Sequence, residues 1–215
     1  MTMQVTDSVL LRSQQYALLG KSGGSLFDPE TYGITPVSTN STNWRGFSCQ
    51  FAIQEGSLFL DSVSANVILE DPNPENIPLL LGKSAEVSWL SDRFKAAGIP
   101  IPTYLAAVND VPMVIYTDIG AFLPYTGALL LAKDWEDSDY DLDRYQHRAC
   151  HYADVREILL REGRVIEEYD RSSAIAAIRE TMLTMSLGEQ YNQRQQIREQ
   201  IGRCFLPDQE YDYRY

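Results

Sequence analysis

The stretch Asn43-Trp44-Arg45-Gly46-Phe47-Ser48-Cys49-Gln50-Phe51-Ala52-Ile53-Gln54-Glu55-Gly56-Ser57-Leu58-Phe59-Leu60-Asp61-Ser62-Val63-Ser64-Ala65-Asn66-Val67-Ile68-Leu69 decides the fold class. Phe47, Cys49, Phe51 and Ile53 alternate with Ser48, Gln50, Ala52 and Gln54, the period of a half-buried strand. Glu55-Gly56 supplies a turn. Leu58, Leu60, Val63, Ala65, Val67 and Leu69 carry the return, and their parity changes between Leu60 and Val63, which predicts a bulge or bend near Asp61. Trp44, Phe47, Phe51 and Leu60 are the expected core of this hairpin.

Outward from it, the same grammar recurs. Ser8 to Leu19 reads as a hairpin with a polar tip at Arg12 to Gln15, followed by a Lys21–Ser25 loop. Pro72, Pro74 and Pro78 interrupt regular structure after Leu69. Ser84 to Ala97 is a short helix candidate, closed by Gly98 and Pro100. Tyr104–Val108 and Met113–Tyr116 read as strands, and Gly120 to Pro124 as a connection. Gly127-Ala128-Leu129-Leu130-Leu131-Ala132 is wholly apolar, as in a central strand. Val155–Leu160 and Val165–Tyr169 flank a Glu162-Gly163 turn. From Ser172 the period changes: Ile175, Ile178, Met182 and Met185 share one helical face. Ser186-Leu187-Gly188-Glu189 has capping-box spacing and opens a second helix that ends near Gly202. The expected fold is α+β, mostly antiparallel β as a barrel or sandwich, with two C-terminal helices. The expected organisation is a β-rich domain over 1–170, a helical appendage over 171–206 and a frayed acidic tail over 207–215.

A chain of 215 residues with 44% hydrophobic and 22% charged side chains has the composition of a soluble globular protein. No apolar run approaches the roughly 18 residues of a membrane helix, and no secretory signal is read at the start. Three cysteines, Cys49, Cys150 and Cys204, fit a reducing compartment better than a disulfide framework. The expected location is cytoplasmic. The net charge is −12, which opposes nucleic-acid binding, because that needs Lys and Arg to displace counterions. Residues 134–170 hold 12 acidic and 5 basic side chains, a local net of −7. That field suits a basic partner, and it also serves plain solubility.

Tyr16-Ala17-Leu18-Leu19, Leu26-Phe27-Asp28-Pro29 and Thr42-Asn43-Trp44-Arg45-Gly46-Phe47 resemble an uncharacterised bacterial protein family in which Trp-Arg-Gly-Tyr/Phe opens a strand of a short hairpin. The resemblance covers the first third of the chain, and Phe47 stands where many such sequences carry Tyr. It implies a bacterial origin and a β-rich fold. It carries over no activity and no catalytic residue.

The chemistry-bearing patterns are sparse. Trp44-Arg45-Gly46-Phe47 combines residue types favoured at binding hot spots; its ordinary structural role is two core aromatics, a Gly-permitted bulge and an Arg paired with a surface acid. His147 and His151 at i, i+4 have two-ligand zinc spacing, but they are the only histidines in the chain, so the expectation is a helical turn with exposed imidazoles and no metal. Asp137, Asp139, Asp141 and Asp143 mimic the first positions of a calcium loop, yet Leu142 replaces the turn Gly and Arg148 the final Glu. Cys150 beside His151 is not a dyad, because side chains at i, i+1 diverge. There is no Gly-x-Gly-x-x-Gly or Walker pattern. Paired-carboxylate hydrolysis stays open. Lys133 reads as a strand-end surface charge.

The functional expectation is a non-enzymatic protein-binding protein, concretely an immunity- or antitoxin-like inhibitor of a basic protein. It uses no cofactor, no nucleic acid and no membrane. The contact residues would be Trp135, Asp137, Asp139, Tyr140, Asp141 and Asp143. The alternative is a small-ligand-binding or hydrolytic β-barrel whose pocket is lined by Tyr104, Tyr116 and Tyr125.

Overall fold

The structure is a computed structural model that describes residues 5–39, 41–69, 76–89, 92, 96, 98, 111–136, 148–206, 209 and 211. Strands β1 (Ser8–Leu11), β2 (Gln14–Lys21), β3 (Phe47–Gln54), β4 (Ser57–Asn66), β5 (Glu86–Ser88), β6 (Met113–Tyr116), β7 (Ala121–Phe122), β8 (Gly127–Trp135), β9 (Tyr152–Arg161) and β10 (Arg164–Asp170) precede helices α1 (Ser172–Leu183) and α2 (Leu187–Gly202). The fold is mostly antiparallel sheet followed by short C-terminal helices. No helix among the described residues is long and apolar enough to cross a membrane.

The chain divides into two compact units. The first comprises residues 1–7, 25–52 and 59–122. In it β6 lies between β4 and β5, with Val63 opposite Tyr116 and Val87 opposite Val114, and β7 pairs with β4 through Phe59 and Phe122. The parity change expected near Asp61 is present. Leu60 and Val63 are both buried, while Asp61 and Ser62 between them are half-buried. The β7 and β6 ladders on β4 meet at this point, where Asp61 O accepts the Ile119 N–H at 2.9 Å. The helix expected over Ser84–Ala97 is strand at its start, because Glu86–Ser88 finds a partner in β6. Asp92 and Ala96 are helical.

The Trp44-Arg45-Gly46-Phe47 motif is a clasp rather than a core plug. Arg45 donates to both oxygens of the buried Asp7, at 3.0 and 2.7 Å, and lies over the Phe47 ring at 4.7 Å. Asp7 also accepts the Cys49 N–H at 2.8 Å. Gly46 has φ +73°, and a Cβ there would meet the Val37 backbone at 2.5 Å. Phe51 and Leu60 are buried as expected, whereas Phe47 is only half-buried. Trp44 is not buried; it is 61% exposed, since β3 begins only at Phe47 and Trp44 precedes the ladder in a turn closed by Gly46 N–H to Asn43 O.

The second unit comprises residues 8–24, 53–58 and 123–215. Its strand order is β10-β9-β8-β2-β1. Arg12-Ser13 and Glu162-Gly163 turn the two hairpins with positive φ at both positions, the geometry that matches strand twist. The apolar run Gly127–Ala132 is central, between β2 and β9, and wholly buried. The helices share a core with these strands: Leu130, Ala132 and Val155 pack with Ile175, Met182, Ile197, Ile201 and Phe205. Ile178 and Met185 lie against the same cluster. The capping box of α2 is formed, with Ser186 N–H donating to Glu189 at 2.8 Å.

Glu157 fastens the end of the chain to this sheet. It is fully buried. Arg171 donates twice to one of its oxygens, at 2.9 and 2.6 Å. The other oxygen accepts the Leu206 N–H at 2.9 Å and the Tyr211 hydroxyl. Gln209 accepts from Ser22. The two described residues of the tail expected to fray are therefore bonded to the sheet.

Candidate functional site

The strongest candidate surface lies where β8 leaves the core. Gly127–Ala132 is buried on both faces, then Lys133 is half-buried, and Asp134, Trp135 and Glu136 emerge. Lys133 stays paired with Asp154 and Trp135 with Tyr152 across the ladder. Asp134 between them has φ +60°, a conformation Asp tolerates better than most residues but which still stores about 1 kcal/mol or more.

Trp135 is 44% exposed, yet it is held on two sides. Its ring stacks on His151, with centroids 4.8 Å apart and 10° between planes, and it meets Tyr152 edge-on at 5.1 Å. Glu136 N–H donates to His151 O at 2.8 Å, and the Glu136 carboxylate pairs with Arg179 of α1. The exposed indole thus rests on His151 of the Arg148–His151 turn and on Tyr152 of β9, while α1 holds the neighbouring Glu136.

The histidine expectation changes here. Arg148–His151 is a 3-10 turn and His151 is 4% exposed, buried beneath Trp135 rather than solvated. His147 lies outside the described residues. Cys150 points into the core, and burial pushes its thiol up to about 12, helped by Cys204. A thiol so rarely ionised is a poor nucleophile. Among the described residues no group of three or more His, Cys, Asp or Glu side chains is placed to hold a metal ion.

Among the described residues, the cations Lys133, Arg156 and Arg12 are paired. Lys133 contacts Asp134 at 2.9 Å and Asp154 at 3.4 Å. Arg156 contacts Asp154 at 2.7 Å and Asp170 at 3.2 Å, and Arg12 holds Glu168 at 2.6 Å. Burial works against the Asp154 carboxylate, but bonds from Arg156, Tyr16 and Lys133 outweigh it and hold the group below the usual range. The Tyr16 hydroxyl, 3.0 Å from Asp154, is pushed up by burial and by that carboxylate. Lys133, read as a surface charge, is in fact a member of this network.

Of the expected contact residues, Trp135 is thus placed at an exposed edge. Asp137, Asp139, Tyr140, Asp141 and Asp143 follow it in sequence and lie outside the described residues. Of the expected tyrosine pocket, Tyr104 also lies outside them. Tyr116 is buried in the first unit, lines a cavity there and donates to Pro78 O at 2.8 Å. Tyr125 belongs to the second unit; its hydroxyl is buried without a hydrogen-bond partner among the described residues, and burial raises its pKa.

Among the described residues, two buried acids, Asp7 and Glu157, escaped the sequence reading. Glu157 carried a signal, since it has the parity of Val155 in β9, and an acid on an apolar face needs a partner. Asp7 carried none, because its partner lies 38 residues away. No family model, curated protein or solved structure matches this chain.

Proposed function

We propose that this chain acts by binding another protein, and that its concrete role is that of an immunity- or antitoxin-like inhibitor of a basic partner. The observation that carries the reading is Trp135: a large aromatic ring, 44% exposed, clamped between His151 and Tyr152. Trp is the residue type most often found to dominate binding energy. A ring already fixed in one orientation loses little side-chain entropy on docking. The neighbouring charge favours a cationic partner. Asp134 is exposed, the sequence continues with Asp137, Asp139, Asp141 and Asp143, and the chain as a whole carries −12. Such a field speeds encounter with a basic surface.

The test is affinity capture from the protein's own cells, with wild type and Trp135→Ala compared side by side and bound proteins identified by mass spectrometry. The reading expects one basic protein bound by wild type and lost from the variant, whose melting temperature stays within a few degrees of wild type. Identical captured sets from the two chains would remove Trp135 as the anchor.

A further inference from the structure

We infer that the first unit carries a binding site for a small, neutral, ring-sized molecule, independent of the Trp135 ridge. A partly open cavity of about 200 Å³ lies between the Ile34–Thr35 segment, the end of β4 and β6. Its floor is Ile34, Val67, Ile77, Val114 and Tyr116, each at most 6% exposed. The floor is built because Pro36 bridges to Val67 and Val37 N–H donates to Asn66 O at 2.8 Å, which lays the 34–37 segment along the end of β4.

Volume and chemistry narrow the occupant. An apolar cavity of about 150 Å³ accommodates benzene, so about 200 Å³ accommodates one aromatic ring with a short substituent. Among the described residues, no Asp, Glu, Lys or Arg lines the cavity. A charged ligand would be stripped of water with no charged side chain among those lining residues to pair with, which is costly. An anion is further opposed by the net charge of −12. The Tyr116 hydroxyl is already committed to Pro78 O, so Tyr116 offers its ring. Thr35, exposed at the rim, offers a hydroxyl to one polar substituent. Ile68, 73% exposed beside it, extends the apolar wall into solvent. The ligand class is therefore a neutral aromatic carrying one alcohol, amide or carbonyl group.

The experiment uses the full chain with no protein partner, so its outcome is separate from that of the inhibitor reading. 4-Fluorobenzyl alcohol is titrated and followed by fluorine NMR, with 4-fluorobenzoate as the charged control. The expected result is saturable binding near about 1 mM for the alcohol and at least about tenfold weaker binding for the anion. Val114→Phe fills the floor and Thr35→Phe covers the rim; each is expected to weaken the alcohol at least about tenfold. Thr35 is exposed, so that variant keeps its circular dichroism and melting temperature and decides the matter if Val114→Phe does not fold. Absence of saturation by wild type up to about 10 mM, unchanged affinity in Thr35→Phe, or equal affinity for alcohol and benzoate would each overturn the proposal.

Discussion

Glu157→Gln is the most informative single change to the second unit. The native carboxylate is fully buried and takes four hydrogen bonds, two from Arg171 at 2.9 and 2.6 Å, one from Leu206 N–H at 2.9 Å and one from the Tyr211 hydroxyl. An amide oxygen still accepts from Leu206 and Tyr211. The amide NH₂ then faces two Arg171 donors, and the guanidinium keeps its charge without a counter-ion. Removing one partner of a buried pair costs about 3–5 kcal/mol. The Arg171 side chain is 22% exposed and also lies over the Tyr169 ring at 4.5 Å, so water and the ring recover part of the loss. The lower end, about 3 kcal/mol, is expected. For a chain of this length that lowers the melting temperature by about 6–12 °C. Calorimetry measures the shift, and amide exchange at Leu206 reports the local bond. The double variant Glu157→Gln, Arg171→Gln should cost less in total than the sum of the single changes, because the unpaired charge is gone. A loss under about 1 kcal/mol with unchanged Leu206 exchange would refute the view that Glu157 anchors the C-terminal segment.

Other outcomes follow from the same contacts. Gly46→Ala should cost at least about 2 kcal/mol, since positive φ and contact with Val37 act together, while Gly56→Ala, at φ +72° in open space, should cost about 1 kcal/mol; urea titration separates them. Phe51→Ala should cost about 3–5 kcal/mol, whereas Trp44→Ala, at an exposed site, should cost under about 1 kcal/mol by the same titration. The folded Asp154 carboxyl sits below its unfolded value, so the stability it adds is present above about pH 4 and lost as pH falls further. The urea midpoint of Asp154→Asn should therefore lie below wild type at pH 7 and converge with it at about pH 2.

The parts of the fold that were legible are those set by local periodicity. Alternation in Phe47–Ile53, the Glu55-Gly56 turn, the parity change at Asp61 and the apolar run in β8 each depend on neighbours within a few residues. So does the capping box at Ser186. The misread parts are set by distant partners. Glu86–Ser88 is a strand only because β6 lies beside it. His151 is buried because Trp135 folds over it from the next strand. Trp44 looked like core on residue type alone, but its position ahead of the ladder leaves it in solvent. At the ridge, the sequence singled out Trp135 as a contact residue. It held no sign of the stacked seat that fixes the ring, which needs residues 16 and 17 positions away.

The central claim is that Trp135 anchors a basic partner brought in by the surrounding acidic field. Stopped-flow association of the captured partner with wild type, with Trp135→Ala, and with a variant carrying Asn at Asp137, Asp139, Asp141 and Asp143 tests it most directly. The Debye length falls from about 10 Å at 0.1 M salt to about 3 Å at 1 M. The fourfold Asn variant should associate much more slowly than wild type at low salt, and the difference should vanish at 1 M. Trp135→Ala should associate at nearly the wild-type rate and dissociate at least tenfold faster, as expected for loss of about 1.4 kcal/mol or more of short-range contact. Equal dissociation rates for wild type and Trp135→Ala, together with association rates indifferent to salt and to the Asn substitutions, would contradict the account.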